Sequence, residues 1–179
     1  MTVNISGEAC ILLALLLLTL PLPWLGAMLV AAAWHECCHA LAVAACGGRI
    51  FHLEFGCGGA RMETGPLETW QELLCALAGP AGSFLLLLFA PWVPGIALCG
   101  LGQGAFNLLP LYPLDGGRVM ACLFPRWHQR GEPIVLAALL ILTLWGAAAR
   151  GWGLLPTVVL ALAFLRRKKP CKSSRFRVQ

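Results

Sequence analysis

Charge is scarce in this chain. Only 12% of its 179 residues are Asp, Glu, Lys or Arg, and 59% are hydrophobic, for a mean hydropathy of +0.79. Soluble domains average about a quarter charged and roughly half apolar. Acidic residues number eight and tyrosine one. These shortages exclude an ordinary soluble domain and leave the composition of a polytopic membrane protein, long enough for one bundle and too short for a second domain. The nine cysteines contain no CxxC pair, and Cys10, Cys75, Cys99 and Cys122 sit in apolar runs where thiols behave as small hydrophobes, so no disulfide framework is expected. The N-terminus, MTVNISGE, lacks a basic n-region, so the apolar run after it reads as a retained span and not a cleaved signal. Internal repeats and low-complexity segments are also missing.

Most of the positive charge is gathered in one place. The run RRKKPCKSSRFR holds Arg166, Arg167, Lys168, Lys169, Lys172, Arg175 and Arg177. After a hydrophobic segment such a cluster is a topology anchor beside anionic lipid, and nucleic acid is not expected as a partner. Apolar segments lie at about Ala9–Leu20, Trp24–Cys46, Leu67–Ala90, Gly95–Leu109, Ile134–Ala149 and Trp152–Leu165. Several fall short of the about 20 residues that a perpendicular span needs. The reading is an all-α membrane protein of about six transmembrane helices. Residues 1–165 form one transmembrane domain and 166–179 a basic cytoplasmic tail. With six spans, Arg49, Arg61, Arg118, Arg126, Arg130 and the seven tail residues share one side, and Arg150 alone faces the other. That asymmetry predicts both termini in the cytoplasm.

One apolar segment contains AAAWHECCHALAVAA, Ala31 to Ala45. Polar side chains in hydrocarbon cost several kcal/mol by transfer estimates of roughly 2–7 kcal/mol per group, so His35, Glu36 and His39 need compensation. At about 100° per residue, His35 and His39 lie one turn apart on one helix face. Glu36 flanks that face, while Cys37 and Cys38 point away from it. Two imidazoles at i and i+4 can hold one Zn²⁺, with the neighbouring carboxylate as proton acceptor. The structural alternative is a pair of core histidines with a glutamate paired elsewhere in the bundle.

A zinc site needs a third protein ligand. Of the acids Glu8, Glu54, Glu63, Glu68, Glu72, Asp115 and Glu132, only Asp115 sits in a segment whose backbone suits the purpose. That segment is FNLLPLYPLDGGRV, Phe106 to Val119, where Pro110 and Pro113 break helix and Gly116 and Gly117 add backbone freedom. Broken helix at membrane depth is tolerated where it is buried in protein or lines an aqueous cavity. PLDGG is equally good turn chemistry, with Asp115 capping the next helix at the membrane surface.

Together, HECCH and the later NLLPLYPLDGG resemble the site-2 protease family of intramembrane zinc metalloproteases, in order, spacing and polytopic context. Size and span number are similar to its stage IV sporulation protein FB branch. The resemblance covers about Trp24 to Val119. It implies one Zn²⁺ held by His35, His39 and Asp115, Glu36 as catalytic base, and Asn107 contacting substrate or steadying the oxyanion. It also implies that Gly79 and Pro80 shape a helix near the site. The implied reaction is peptide-bond hydrolysis within or near a transmembrane segment, in a bacterial cytoplasmic membrane. The implied partners are the lipid bilayer and a transmembrane or membrane-associated protein substrate such as a pro-sigma factor, with a membrane regulator or a homo-oligomer left open. Neither the PDZ domain of the envelope-stress branch nor the C-terminal CBS domain of many sporulation-type members is found, so ATP regulation through the latter is not expected.

Between the motifs, IFHLEFGCGGARMET alternates Phe51, Leu53 and Phe55 with His52 and Glu54 before a glycine turn, which predicts a β-hairpin. The resemblance suggests that it dips into the membrane beside the site, and its edge is expected to pair with an unwound substrate segment. His52 and His128 read as surface and interfacial residues. Two rivals from other classes are a membrane metal transporter and a non-catalytic metal-binding scaffold.

Overall fold

The structure, a computed structural model, describes residues 2–56, 59–124 and 126–150. The expected sixth span, Trp152–Leu165, and the basic tail lie outside the described residues. The chain divides into two units, Met1–Gln129 and Arg130–Gln179. The first contains both sequence motifs.

Its central element is helix α2, Leu22–Ala45. This run is rich in Ala and Leu, the strongest helix formers, and its 24 residues extend about 36 Å. Gly47 ends it at φ 74°, and Gly47 N–H and Gly48 N–H return to the Ala44 and Val43 carbonyls. That pairing is a Schellman closure, which needs a residue tolerant of positive φ just past the helix end. The buried face of α2 is Leu25, Ala31, His35, His39 and Val43. Its outer face carries Leu22, Leu29, Val30 and Leu41, all exposed. The helix thus turns its most polar residues inward and its large apolar ones outward.

Helix α3, Thr69–Leu85, packs along α2 and opens on a capping box. The Glu68 side chain accepts from the Gln71 backbone, and Gln71 Oε1 accepts from Glu68 N–H at 2.9 Å. Gln71 Nε2 also donates to the Cys46 carbonyl at 3.2 Å, tying the start of α3 to the end of α2. Pro80 lies inside α3, and after Leu85 the chain tightens into a 3-10 turn, Leu86–Phe89. The Trp34 indole N–H donates to the Gly82 carbonyl at 2.8 Å. That bond explains a tryptophan placed mid-helix, away from any interfacial belt. Among the described residues, Leu22–Ala45 and Thr69–Phe89 are the two helices long and apolar enough to cross a membrane. Helix α1, Gly7–Thr19, has 13 residues and α4, Pro94–Asn107, has 14.

The expected hairpin is present as β2, Ile50–Gly56, and β3, Gly59–Thr64, paired antiparallel with Leu53 opposite Met62. It is not alone. The N-terminal strand β1, Thr2–Ile5, pairs parallel to β2, so the sheet order is β1-β2-β3 and the fold is not purely α. Leu53 therefore lies in the central strand, and the outer edge of the hairpin is β3.

The break between the second motif's prolines is also present. Helix α4 stops at Asn107, residues 108–114 are non-helical, and α5 runs Asp115–Leu123. The freed Pro110 carbonyl accepts the Trp127 indole N–H at 2.9 Å. Gly116 and Gly117 do not supply turn flexibility, because both are helical. They permit close approach: a Cβ on Gly116 would sit 2.6 Å from the Leu109 carbonyl oxygen, and one on Gly117 2.5 Å from that of Leu111. The stretch between the apolar segments Gly95–Leu109 and Ile134–Ala149 is largely helical from residue 115 onward, since α5 is followed by α6, which begins at Trp127 and runs to Arg150 through Pro133. Hydropathy registers only the apolar part of such a helix and misses its polar first turns.

Candidate metal centre

Three buried side chains converge between α2 and α5. His35 is 2% exposed, and His39 and Asp115 are 7% exposed each. His35 Nε2, His39 Nε2 and Asp115 Oδ2 form a triangle with all three sides 3.1 Å. Within the helix the two histidines are one turn apart, as their spacing predicts. Asp115 reaches them because the break at 108–114 restarts the chain as α5 with this residue at its first position. A carboxylate there also suits the positive end of the helix dipole.

The outer ring nitrogens are both anchored. His39 Nδ1–H donates to the Cys75 carbonyl at 2.7 Å, and His35 Nδ1 lies 2.9 Å from Ser83 Oγ, which accepts from it in the Nδ1–H tautomer. With Nδ1 carrying the proton, a neutral ring turns a bare Nε2 lone pair inward. Two such lone pairs and a carboxylate oxygen then face one another among buried groups, a donor set that a cation would satisfy. The dimensions fit zinc: tetrahedral ligands about 2.0–2.1 Å from the ion stand about 3.3 Å apart. Among the described residues, this is the one group of three ligand side chains placed to share a metal ion. Arg118 Nη1 lies 3.8 Å from the other carboxylate oxygen, Oδ1, so a positive charge stands on the outer side of Asp115.

The remaining expected residues take different places. Glu36 is half-buried on α2 beside His35. Asn107 is the last residue of α4, half-buried, with its amide donating to the Gln103 carbonyl at 3.1 Å. It is not one of the three converging groups. Cys37 is exposed and Cys38 half-buried against Gly82, so neither joins the cluster.

Gly79 acquires a definite role. A Cβ there would stand 2.6 Å from His39 Cε1 and 2.7 Å from Cδ2, inside the ring's van der Waals envelope. Gly79→Ala is therefore expected to push the His39 ring out of the triangle, lowering zinc affinity at least tenfold while α3 stays helical. Competition with a chromophoric chelator, alongside circular dichroism, checks this.

Sequence reasoning missed Ser83 and the Cys75 carbonyl. Ser83 is fully buried at 0% exposure. Its signal was a lone hydroxyl in an apolar run, one helical turn after Gly79 and two after Cys75, all on one side of α3. Partners that orient a ligand histidine typically contribute 10–100-fold to metal affinity. Ser83→Ala is expected to cost about tenfold in zinc affinity on that scale. An unchanged affinity would show that the hydroxyl only fills space.

Known proteins resemble this chain in sequence and fold. The Peptidase M50B-like family model matches residues 8–98. The zinc-metalloprotease candidate sll0528 of Synechocystis sp. is 34% identical over 115 residues, 55% of this chain. The chain spans 30% of that relative's length. The solved structure of the site-2 protease from Methanocaldococcus jannaschii superimposes with a TM-score of 0.61 at 19% identity, covering 88% of this chain and 83% of that one. At that identity the likeness concerns the fold.

Proposed function

Because the chain belongs to the Peptidase M50B-like family, we propose that it is a zinc metalloendopeptidase embedded in a membrane, hydrolysing peptide bonds within or near the transmembrane segments of other membrane proteins. The observation that carries this reading is the buried triangle of His35, His39 and Asp115, with Glu36 next to the first ligand. Zinc held there would polarise a water and the attacked carbonyl, giving a nucleophile near neutral pH. Glu36 then accepts the water proton and returns it to the departing amine. Asn107, at the break that leads to Asp115, is assigned to the substrate backbone or the developing oxyanion.

Membrane embedding is supported by the inverted character of α2, whose exposed face is apolar over its length. A water-soluble protein rarely exposes so large a contiguous apolar surface. For a six-span arrangement, the distribution of basic residues supports placing both termini in the cytoplasm. A substrate helix must unwind before its amides can be attacked, and the edge of β3 away from β2, unpaired among the described residues, is the place we assign to the extended stretch. A membrane-associated pro-sigma factor is one substrate of this class.

Along β3, successive residues alternate between pairing with β2 and facing outward. Of Met62→Pro and Glu63→Pro, the one that removes an outward N–H should impair cleavage with zinc retained and the sheet intact. Equal cleavage by both would leave the hairpin with no part in substrate binding.

The test of the reading is purified protein reconstituted with a panel of single-span reporters. Cleavage should stop when a chelator removes zinc and return when zinc is restored. Cleavage that survives complete zinc removal contradicts it. Zinc movement across vesicles without cleavage of any reporter favours the transporter rival.

A further inference from the structure

Helix α4 carries a polar pair that the chain itself leaves largely unused. Within the apolar segment Gly95–Leu109, Gln103 and Asn107 are the two carboxamides, and no charged residue accompanies them. Both are half-buried and lie one turn apart on one side of the helix. Asn107 spends one amide N–H on the Gln103 backbone carbonyl at 3.1 Å. Among the described residues, the Gln103 side-chain carboxamide makes no hydrogen bond. A carboxamide withdrawn from water without a partner is costly, most of all at membrane depth. The neighbouring flank of α4 meets the support of the metal centre. A Cβ on Gly100, one turn before Gln103, would stand 2.9 Å from the Ser83 carbonyl oxygen, and one on Gly104 3.0 Å from Ser83 Cβ. Ser83 is the residue whose Oγ lies 2.9 Å from His35 Nδ1. The polar pair therefore borders the α3–α4 contact at the level of the centre.

We propose, resting on the protease reading of the site, that Gln103 is a further substrate-binding residue. Its Oε1 accepts a main-chain N–H of the extended substrate, two residues along from the group that Asn107 meets. The ligand is a peptide backbone in extended form, held without regard to its side chains.

Spacing supports this. Residues four apart on a helix stand about 6.0 Å apart along its axis. An extended peptide returns to the same side every second residue, about 6.6–6.8 Å along. The mismatch of under about 1 Å is within reach of a glutamine, whose side chain is a methylene longer than asparagine's. Each carboxamide offers both an acceptor and donors, as a peptide unit does. Gln103 and Asn107 thus match two backbone groups of a strand lying along α4. A helical substrate cannot use them, because its amides are already bonded internally. Binding at Gln103 therefore favours the unwound form, and a substrate proline, which has no N–H, is disfavoured opposite it.

The experiment uses the full zinc-loaded chain in lipid and a panel of single-span reporter peptides. Gln103→Leu is expected to raise KM for a cleaved reporter about tenfold with kcat within about twofold of wild type, the pattern of a contact made equally in ground and transition states. Leucine suits an apolar helix, so helix content by circular dichroism and zinc content should match wild type. A scan of the same reporter, replacing one backbone N–H at a time by an ester oxygen, supplies a readout that a structural role would not move. One ester position near the cleaved bond should raise KM about tenfold for wild type and less than about twofold for Gln103→Leu, since the variant has already lost that bond. The proposal is overturned if Gln103→Leu keeps the wild-type KM, or if every ester costs the variant as much as it costs wild type. A raised KM accompanied by lost zinc or lost helix would make Gln103 structural and overturn it equally. A wild type that cleaves no reporter fails the protease reading itself, whereas a wild-type KM in the variant fails the assignment of Gln103 alone.

Discussion

Glu36→Gln is expected to abolish cleavage and leave zinc in place. Glutamine has nearly the shape of glutamate but cannot take a proton from water at neutral pH. The three groups that converge on the centre, His35, His39 and Asp115, do not include Glu36. Metal content should therefore match wild type. Removing a positioned general base typically costs on the order of 10²–10⁴ in rate, and among the described residues the one carboxylate at the centre besides Glu36, that of Asp115, is turned toward the two histidines. Reporter cleavage and zinc content measured on the same preparation separate the two effects. A Glu36→Gln protein that cleaves at the wild-type rate would remove Glu36 from the chemistry. One that loses its zinc would make Glu36 part of the metal's support.

Asp115→Ala is expected to lose both zinc and activity. It leaves two imidazoles, with a lone pair from each still turned inward and no carboxylate to balance a dication. The loss should exceed the about 10–100-fold that an outer partner such as Ser83 contributes. Helix α5 should survive, since a carboxylate in a helix's first turn is worth about 0.3–1 kcal/mol. Elemental analysis after dialysis against a weak chelator measures the effect, and circular dichroism confirms the fold. Full zinc content in Asp115→Ala would mean that the third ligand lies elsewhere.

The contrast between these two variants reflects what was legible in the sequence. HECCH was readable because a helix has a fixed period: once the segment is helical, His35 and His39 must share a face. Asp115 was readable because Pro110 and Pro113 break the helix just ahead of it, and a carboxylate at such a break in an apolar run needs a cation or water to face. Its proximity to the histidines, 80 and 76 residues away in sequence, is a tertiary fact that only the two motifs together suggested. Gly116 and Gly117 were noticed for the wrong reason. Their value lies in the backbone that packs against them, which spacing along the chain does not reveal. Ser83 and the Cys75 carbonyl went unnoticed because one hydroxyl and one backbone oxygen leave almost no mark in an apolar helix. Strand β1 was missed because four residues carry too short an alternation to distinguish strand from coil, and its pairing with β2 is non-local. The polar first turns of α6 fell outside the apolar segment Ile134–Ala149 because hydropathy does not register them.

The most direct test of a catalytic metal centre at His35, His39 and Asp115 is the metal itself: zinc stoichiometry of the purified protein, with X-ray absorption to identify the ligands. The expected result is one zinc per chain, surrounded by nitrogen and oxygen at about 2.0–2.1 Å, with no sulfur bound to it. Sulfur at the about 2.3 Å of a zinc–thiolate bond, or a protein that binds no zinc with His35, His39 and Asp115 intact, would contradict it.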